Sequence, residues 1–275
     1  MTSVNRILVT GGTGKTGRRI VERLQAQNRV LRIGSRSAEI PFDWANPTTW
    51  HPILRDIDTV YIAFQPDLAI PTAPDTIRTF TQLAVRSGVT RLVLLSGRGE
   101  EEAQTCEQIV QNAGVDWTIL RAGWFSQNFS ESFLLESILA GAVYLPVGDV
   151  KEPFIDADDI ADVAVVSLTE DNHAGKLYEL TGTRLMTFVE ALSEISSVIG
   201  RTITYTQLSP QEYTAMLEDA QLPSDVIWLL NYLFTHVLDG RNSYCASGVQ
   251  QALGRKPRDF SDYVRDTAKT GIWNN

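Results

Sequence analysis

The sequence is poor in the residues that build disulfide frameworks and metal centres. Its 275 residues include 2 cysteines, Cys106 and Cys245, and 3 histidines, His51, His173 and His236. The cysteines lie far apart and form no CxxC motif, and the histidines do not have the spacing of metal ligands. These absences argue against a disulfide-stabilised fold and predict that the protein holds no metal ion.

Long apolar runs and an excess of positive charge are also missing. No stretch approaches the roughly 18 apolar residues of a membrane-spanning helix, and the first residues lack the apolar run of a signal peptide. With 24 basic and 33 acidic residues the net charge is −9, whereas nucleic-acid binding requires a basic surface that neutralises phosphates. We therefore expect a cytoplasmic monomer or homodimer that acts on a small molecule and binds neither membranes nor nucleic acids.

What the sequence does contain is a regular alternation of short apolar strands and helices. Arg6–Thr10, Thr59–Phe64 and Arg91–Ser96 are mainly apolar, which is typical of strands buried on both faces of a parallel sheet. Helices between such strands form right-handed crossovers. The pattern predicts an α/β fold, with a Rossmann-type doubly wound parallel sheet over residues 1–150. Residues 151–275 are predicted to form mainly a smaller, interwoven α/β lobe that binds substrate, with later segments returning to the sheet.

Residues 9–17, VTGGTGKTG, contain two overlapping phosphate-binding patterns. The Gly-Lys-Thr would end a triphosphate-binding P-loop, G-x-x-x-x-G-K-[ST], but Val9 occupies the position of its first glycine. Gly12, Gly14 and Gly17 instead form G-x-G-x-x-G after a strand and before a helix, which is the pattern of a dinucleotide-binding loop. Glycine lets backbone N–H groups approach a pyrophosphate at the helix N-terminus. The loop therefore predicts a dinucleotide cofactor.

The end of the second strand distinguishes NAD from NADP. An Asp or Glu at this position commonly accepts a hydrogen bond from the ribose 2′-hydroxyl of NAD. This chain has Gly34-Ser35-Arg36-Ser37 instead. Arg36 would attract the 2′-phosphate of NADP, the two serines could donate hydrogen bonds to it, and Lys15 is expected nearby. We predict NADP as the cofactor, with NADPH preferred over NADH; the alternative is that Arg36 is an ordinary solvated cation.

Several segments, in their order and spacing, resemble the NmrA-like branch of the atypical short-chain dehydrogenase/reductases. These segments are LVTGGTGKTG, GSRS, RLVLLS, GVDWTILRAGWFSQNF and PFIDADDIADVAVVSLTE. The pairing of TGGTGKTG with SRS…FDWANPTTW is similar, more narrowly, to the ergot-alkaloid-type reductases and their bacterial relatives. The resemblance implies NADPH-dependent chemistry, because those reductases use NADPH to reduce an iminium in the formation of agroclavine or festuclavine.

The resemblance also implies cofactor-binding roles for matching positions. The glycine loop would hold the pyrophosphate, and Ser35 with Arg36 the 2′-phosphate. Asp43 and Trp44 would lie near the adenine, and the residues that end the third strand would flank the ribose. The implied cofactor-binding residues are Gly11, Gly12, Thr13, Gly14, Lys15, Thr16, Gly17, Ser35, Arg36, Asp43, Trp44, Phe64, Gln65, Ser96, Gly97, Gly123 and Trp124.

The implied nicotinamide and substrate region follows two later strands. Ser96 and Gly97 would lie beside the nicotinamide, and Gly123, Trp124 and Phe125 would line both the nicotinamide and the substrate pocket. Aromatic residues are predicted to complete the pocket, although such residues close a hydrophobic core equally well. Residues 228, 232 and 236 have helical i, i+4, i+8 spacing, which suits either a pocket lid or a core face. The predicted substrate-pocket residues are Phe125, Phe129, Phe154, Trp228 and Tyr232.

No catalytic residue follows from the resemblance. Many members of the wider superfamily use a tyrosine with a lysine four residues later, but none of the 8 tyrosines here has a lysine at that position. Carbonyl reduction leaves an alkoxide and benefits from an acid, whereas an iminium or a quinone mainly needs a hydride donor held close. Arg98 is a candidate for stabilising negative charge on a substrate; its alternative role is an ion pair within RGEEE (residues 98–102).

Two functions are compatible with these residues. The first is an NADPH-dependent oxidoreductase that transfers hydride to a small conjugated or cationic acceptor of the imine, iminium, quinone or azo type. The second is a catalytically silent NADP(H)-binding sensor or regulator that acts through protein partners, as one branch of the family does. The missing tyrosine–lysine pair fits both.

Overall fold

The computed structural model describes residues 5–274, which form two compact units. The sheet unit comprises the described residues up to Ala122 together with Ala157–Leu180 and Ser247–Arg255. The second unit comprises Gly123–Asp156, Thr181–Ala246 and the described residues from Lys256 onward. The second unit begins at Gly123 rather than at the predicted division at residue 150, and residues 157–180 return to complete the sheet.

The first part of the sheet unit alternates strands and helices. Its elements are β1 (Arg6–Thr10), α1 (Lys15–Ala26), β2 (Val30–Gly34), a 3₁₀ turn at Pro47–Thr49, α2 (Trp50–Ile53), β3 (Thr59–Ile62), α3 (Ala73–Arg86), β4 (Arg91–Gly97), α4 (Glu101–Gln111) and β5 (Asp116–Ala122). Ile7, Leu8 and Val9 of β1 are fully buried. Complete burial of consecutive residues is expected of a strand in a parallel sheet that is covered on both faces.

The chain then passes through both units. The second unit gains a 3₁₀ turn (Ser126–Phe129), α5 (Leu134–Ala140) and β6 (Ala142–Leu145); the sheet unit gains α6 (Ala157–Thr169), a 3₁₀ turn (Asp171–His173) and β7 (Lys176–Leu180). β7 pairs with β5 in parallel, which places Tyr178 opposite Leu120. The sheet has the order β2-β1-β3-β4-β5-β7, with every pair parallel. The prediction of a Rossmann-type parallel sheet is confirmed.

The strand order reverses between β1 and β3. From β1 the chain moves to β2 on one side and then to β3 on the other, and a reversal of this kind creates a ligand crevice at the carboxyl ends of the strands. Thr10 joins the two ends, since its hydroxyl donates to the Tyr61 carbonyl at 2.9 Å and accepts the Ala63 N–H at 2.9 Å. The fold therefore holds the glycine loop beside the residues that follow β3.

The remaining elements complete the second unit and add one helix to the sheet unit. They are α7 (Phe188–Ile199), β8 (Thr204–Gln207), α8 (Pro210–Asp219), α9 (Ser224–Tyr232), a π-helical segment (Leu233–Val237), α10 (Gly248–Leu253) and α11 (Phe260–Lys269). β6 and β8 form a parallel two-stranded sheet in the second unit. Its core is aromatic, with Phe188, Phe234 and Trp273 each 1 % exposed. Thr187 and Ser209 form the capping boxes that begin α7 and α8.

Ion pairs join parts of the sheet unit that are far apart in sequence. Arg23 of α1 contacts Asp158 and Asp162 of α6 at 2.8 and 2.6 Å. Arg255, which closely follows α10, contacts Asp159 and Asp162 at 2.6 and 2.5 Å. The side chain of Asp159 is fully buried, so its charge requires the arginine. The network fixes α1, and with it the end of the glycine loop, against α6 and the segment around α10.

None of the helices within residues 5–274 combines the length and apolarity needed to cross a membrane. Within that range, no group of three or more His, Cys, Asp or Glu side chains could hold a metal ion. Cys106 is buried and Cys245 exposed, and both are free thiols.

Candidate cofactor-binding site and a buried carboxyl pair

The loop between β1 and α1 is so tight that several of its residues must be glycine. Gly11 has a φ of +61°, in the left-handed region that favours glycine. A Cβ on Gly17 would lie 2.1 Å from the Gly11 carbonyl oxygen, and one on Gly12 would lie 2.7 Å from Ile33 Cγ2. Gly14 is the N-cap of α1 and supplies no side-chain cap, so the first N–H groups of the helix suit an anion. The residues present therefore fit a dinucleotide pyrophosphate.

Thr16 faces the interior rather than the surface of this loop. Its side chain is buried, and its hydroxyl accepts a hydrogen bond from the Tyr61 hydroxyl at 3.0 Å. Tyr61 is itself fully buried, and burial raises the pKa of its phenol. Tyr61 thus stays neutral and ties β3 to α1, which holds the glycine loop in place from below.

A cleft of about 450 Å³ lies at the carboxyl ends of β1, β2 and β3. It brings together most of the residues predicted for the adenine, the ribose and the 2′-phosphate. Gly34, Phe42, Ala45 and Pro66 were not predicted, although each is a chain neighbour of a predicted residue. The lining residues are Gly11, Thr13, Gly34, Ser35, Arg36, Phe42, Asp43, Trp44, Ala45, Gln65 and Pro66.

The side of the cleft that follows β2 is suited to a phosphate. Arg36 is exposed there, and the hydroxyls of Ser35 and Ser37 lie 3.4 Å apart. Among the described lining residues Asp43 is the one carboxylate, and its Oδ1 accepts the Ala45 N–H at 3.0 Å. A cation with two hydroxyls is the arrangement that binds a phosphate by charge-assisted hydrogen bonds.

Trp44 forms an aromatic wall of the same cleft. Its indole N–H donates to the Ala63 carbonyl at 2.9 Å, and its ring packs edge-on against Phe42 and Phe80, with centroids 4.9 Å away in both cases. Phe64 is not among the residues that line the cleft; it packs against Trp44 at 5.1 Å. These contacts keep the indole in one orientation, which suits contact with a flat base.

The side chain of Ser96, predicted to lie beside the nicotinamide, contacts α4 instead. Its hydroxyl donates to Glu107 Oε1 at 2.6 Å, and Arg121 Nε donates to the same oxygen at 2.9 Å. Glu107 is 2 % exposed, and its hydrogen bonds raise the pKa of Arg121. Arg121 also reaches Glu179 of β7 at 3.3 Å. Ser96 and Arg121 thus belong to a buried ionic cluster around Glu107.

Arg98, the candidate for stabilising charge on a substrate, is an interior residue. It is 3 % exposed. Its backbone N–H donates to the Ala122 carbonyl at 3.0 Å, which extends the pairing of β4 with β5. Burial on this scale means that a substrate would have to enter the interior to reach it, and its catalytic role stays a prediction.

A second acidic group at the end of β4 was not predicted. Glu100 precedes the first residue of α4 and is hydrogen bonded to Asp67, in the loop after β3. Glu100 is 8 % exposed, and Asp67 is half-buried. Burial raises the pKa of both carboxyls, and the negative charge of Asp67 raises that of Glu100 further. Gly97 provides the space, because a Cβ there would lie 2.0 Å from Glu100 Oε1.

Gly123, Trp124 and Phe125 directly follow β5 and begin the second unit. Gly123 is buried, whereas the two aromatic residues are half-buried. Within the second unit Trp124 packs against Phe234, with the ring centroids 4.9 Å apart. Phe125 forms a backbone bridge with Ile155. Trp124 and Phe125 therefore keep part of their surface accessible, as pocket residues require.

Phe129 and Phe154 have a different setting. They are 1 % and 3 % exposed and lie in the aromatic core of the second unit. Their rings pack edge-on against each other at 5.2 Å and also contact Phe188. Phe129 and Phe154 are therefore core residues, which was the alternative to lining the substrate pocket.

α9 and the π-helical segment carry an exposed aromatic ladder, formed by Trp228, Tyr232 and His236. The first two rings stack 5.3 Å apart at 9°, and the second two stack 5.5 Å apart at 13°. Trp228 is 42 % exposed, whereas Leu229 and Leu230 are buried. Of the two predicted roles, a lid or a core face, the exposure excludes the core face.

Comparison with known proteins identifies the class to which this fold and glycine loop belong. The family model described as NAD(P)H-binding matches residues 11–171, so the chain is an NAD(P)H-binding protein. More narrowly, the model of the NmrA-like family matches residues 101–264, and the chain belongs to that family. The predicted family membership is confirmed.

Similarity to individual proteins extends over nearly the whole chain. Agroclavine dehydrogenase from Claviceps fusiformis is 31% identical, over 97% of this chain and 98% of its own. Prestalk A differentiation protein A from Dictyostelium discoideum is 31% identical, over 95% of this chain and 92% of its own. The NADPH-dependent quinone oxidoreductase QOR2 from Escherichia coli, solved with NADPH, has a TM-score of 0.78 and covers 94% of this chain and 99% of that one. At 21% identity, the last similarity shows the fold alone.

Proposed function

We propose that this protein is an NADPH-dependent oxidoreductase that transfers hydride to a small conjugated or cationic acceptor of the imine, iminium, quinone or azo type. The observation that carries the proposal is the cleft in which Gly11 of the glycine loop lies with Ser35 and Arg36. The name of the agroclavine dehydrogenase to which the chain is similar supports it. When bound, the reduced nicotinamide supplies the hydride.

The protein's own residues bind and orient in this proposal. The N–H groups at the start of α1 bind the pyrophosphate, Arg36 and Ser35 bind the 2′-phosphate, and Trp44 contacts the adenine. None of the tyrosines has a lysine four residues later. Acceptors that become neutral amines or stable anions after hydride transfer suit such a site, because they do not require a tyrosine–lysine pair.

Fluorescence titration with NADPH and NADH in parallel tests the cofactor preference. Hydrogen bonds to a charged group contribute about 1.5–3 kcal/mol, so Arg36→Ala should weaken NADPH binding about ten- to a hundredfold and NADH binding less than about twofold. Arg29→Ala is the matched control, because Arg29 is exposed before β2 and does not line the cleft. Equal losses for the two cofactors in Arg36→Ala would contradict the role of Arg36.

The reductase function itself is tested by NADPH consumption with quinones, azo dyes, cyclic imines and enones. We expect turnover with at least one of these classes, because each accepts a hydride at a conjugated or cationic centre. Purified protein that binds NADPH but consumes none with any of them would contradict the reductase proposal.

A second candidate function is a catalytically silent NADP(H) sensor that acts through protein partners. The missing tyrosine–lysine pair supports this function, and so does the similarity to a differentiation protein whose name states no enzymatic activity. A sensor should bind NADPH with the same dependence on Arg36 but give no turnover. The acceptor panel therefore separates the two candidates, whereas the binding experiment does not.

A further inference from the structure

The Asp67–Glu100 carboxyl pair lies beside the cofactor cleft, within the sheet unit. Asp67 directly follows Pro66, which lines the cleft. Glu100 lies against Gly97, the last residue of β4. Ligands of open parallel sheets bind outside the carboxyl ends of the strands, and the pair occupies these ends at β3 and β4.

One of the two carboxyls carries a proton. Carboxylates are acceptors only, so a hydrogen bond between two carboxyls requires that one of them donate an O–H. Asp67 and Glu100 are hydrogen bonded, and Glu100 is buried. Ionising both would place two negative charges together in a weakly polar environment. The pair therefore titrates as one unit that keeps a single proton between its two members.

The carboxylates around the pair favour keeping this proton. On α4, Glu102 and Glu107 add negative charge that raises the pKa of Glu100 further. Arg121 donates two hydrogen bonds to Glu107. Arg98, in the loop between β4 and α4, is the cation closest to Glu100 in the chain and is buried.

One oxygen of the pair accepts no hydrogen bond from a donor group of the described residues. Glu100 Oε2 is buried and forms no hydrogen bond with the described residues. An unsatisfied buried polar atom is costly, and such atoms in native proteins commonly mark sites of function. Asp67, in contrast, is held in place, because its Oδ1 accepts the Ala69 N–H at 2.9 Å. Asp67 keeps part of its surface accessible, so a ligand would exchange a proton with the pair through the Asp67 carboxyl.

We propose that Asp67 and Glu100 hold one transferable proton between them and donate it to the reduced acceptor. This proposal rests on the reductase function proposed above. A neutral acceptor A takes up a hydride, with both its electrons, from the reduced nicotinamide and becomes the anion AH⁻. The O–H bond of the pair then breaks, its electrons stay on the carboxyl oxygen, and the proton bonds to AH⁻ to give AH₂. The pair, now doubly ionised, regains a proton from water.

The charge of the acceptor separates this role from a purely structural one. A neutral quinone needs the proton, whereas a cationic triphenylmethane dye becomes neutral by hydride uptake alone. General-acid catalysis contributes about 10²–10⁴-fold, so Glu100→Gln should slow quinone reduction about a hundredfold or more. The rate with the cationic dye should change by less than about threefold, because positioning of the hydride is unaffected. Glu101→Gln, one residue further and exposed, is the matched control and should retain both rates.

Infrared difference spectroscopy on the protein without cofactor or acceptor gives a second readout. The wild type at neutral pH should show the carbonyl band of a protonated carboxyl, because one member of the pair stays protonated. The band should disappear in Glu100→Gln and persist in Glu101→Gln. If Glu100→Gln does not fold, Asp67→Asn replaces it in both experiments.

Four outcomes decide the proposal. The expected band together with a selective loss of quinone reduction would support it. A wild type without the band that still reduces both acceptors would overturn the proton-sharing pair and leave the reductase function standing. Equal losses with both acceptors would show a structural role and overturn the donor role. A wild type that consumes no NADPH with these two acceptors or with azo dyes, cyclic imines and enones would overturn the reductase function and the donor role together.

Discussion

Two buried glutamates, one directly before α4 and one near the middle of that helix, are neutralised in different ways. Glu107 on α4 is 2 % exposed and bonded to Arg121, whereas Glu100, which precedes α4, is 8 % exposed and bonded to a second acid, Asp67. An arginine is permanently charged, so it fixes its partner as an anion. A carboxyl partner supplies no positive charge, and neutrality then depends on a proton that can leave. The ion pair therefore has one protonation state, whereas the acid pair has two, with and without the shared proton.

The largest effect on stability should come from removing the negative charge of Glu107 from its ion pair. Glu107→Gln leaves Arg121 without its main partner, and breaking a buried ion pair costs about 3–5 kcal/mol. Arg121 keeps its contact with Glu179 and its side chain is 21% exposed, so we expect a loss of about 3 kcal/mol in unfolding free energy. Urea denaturation measures it, with the exposed Gln108→Ala on the same helix as control. A loss below about 1 kcal/mol would show that the anion is not required.

A smaller loss of unfolding free energy should follow when a methyl group is added where the Glu100 carboxyl lies. In Gly97→Ala the added Cβ would lie 2.0 Å from Glu100 Oε1, and overpacking of this kind costs about 1–3 kcal/mol. The clash should separate the two carboxyls and remove the infrared band of the protonated group. Adding Glu100→Ala should recover part of the stability, which urea denaturation of the single and double variants measures. If the stability losses of Gly97→Ala and Glu100→Ala simply add in the double variant, the predicted clash between the two side chains is contradicted.

The acid pair should also make stability depend on pH. Because the pKa of Glu100 is raised in the folded protein, the folded state binds more protons than the unfolded state above the ordinary pKa of a glutamate. The stabilisation is complete below that ordinary value and is lost as pH rises through the raised one, with a slope of at most about 1.4 kcal/mol per pH unit for one proton. Urea denaturation at several pH values should show this slope in the wild type and Glu101→Gln. The slope should be shallower in Glu100→Gln, and an unchanged slope there would assign it to other groups.

The smallest effect concerns the rate of chemical modification of Cys106, which lies on α4 between the two glutamates in the sequence. Burial, followed by the negative charge of Glu107 and Glu100, raises the pKa of its thiol to about 12. A thiol reagent at neutral pH should therefore modify the exposed Cys245 quickly and Cys106 only when the helix opens. Glu107→Gln should speed the slow reaction about tenfold or more, in line with its lower stability. In Glu100→Gln at neutral pH the slow rate should stay near that of the wild type.

The cleft beside the glycine loop could be predicted because its residues are local in the chain. Gly12, Gly14 and Gly17 occupy one strand–loop–helix connection, and Ser35 with Arg36 follows the next strand. The geometry of such connections is set mainly by the residues within them. The cleft then follows from the reversal of strand order, which alternating strands and helices already predict.

The acid pair could not be predicted, because its physical cause is tertiary. Asp67 and Glu100 belong to no motif. In the sequence, Glu100 is one of several acidic residues of the kind that stabilise a helix N-terminus. Only the pairing of β3 with β4 and the absence of a side chain on Gly97 bring the carboxyls together. The two-unit division is tertiary in the same way, since β7 belongs to the sheet only because it pairs with β5.

The ion pairs around Asp162 have a consequence for the order in which the protein is made. Arg23 and Arg255 lie on either side of Asp162 in the sequence, and both contact this residue of α6. On a ribosome the glycine loop emerges before α6, so the helix that follows the loop finds its α6 anchor only after residue 162 has been synthesised. Arg255 follows 93 residues after Asp162. We expect the nascent glycine loop to be translated well before it becomes rigid.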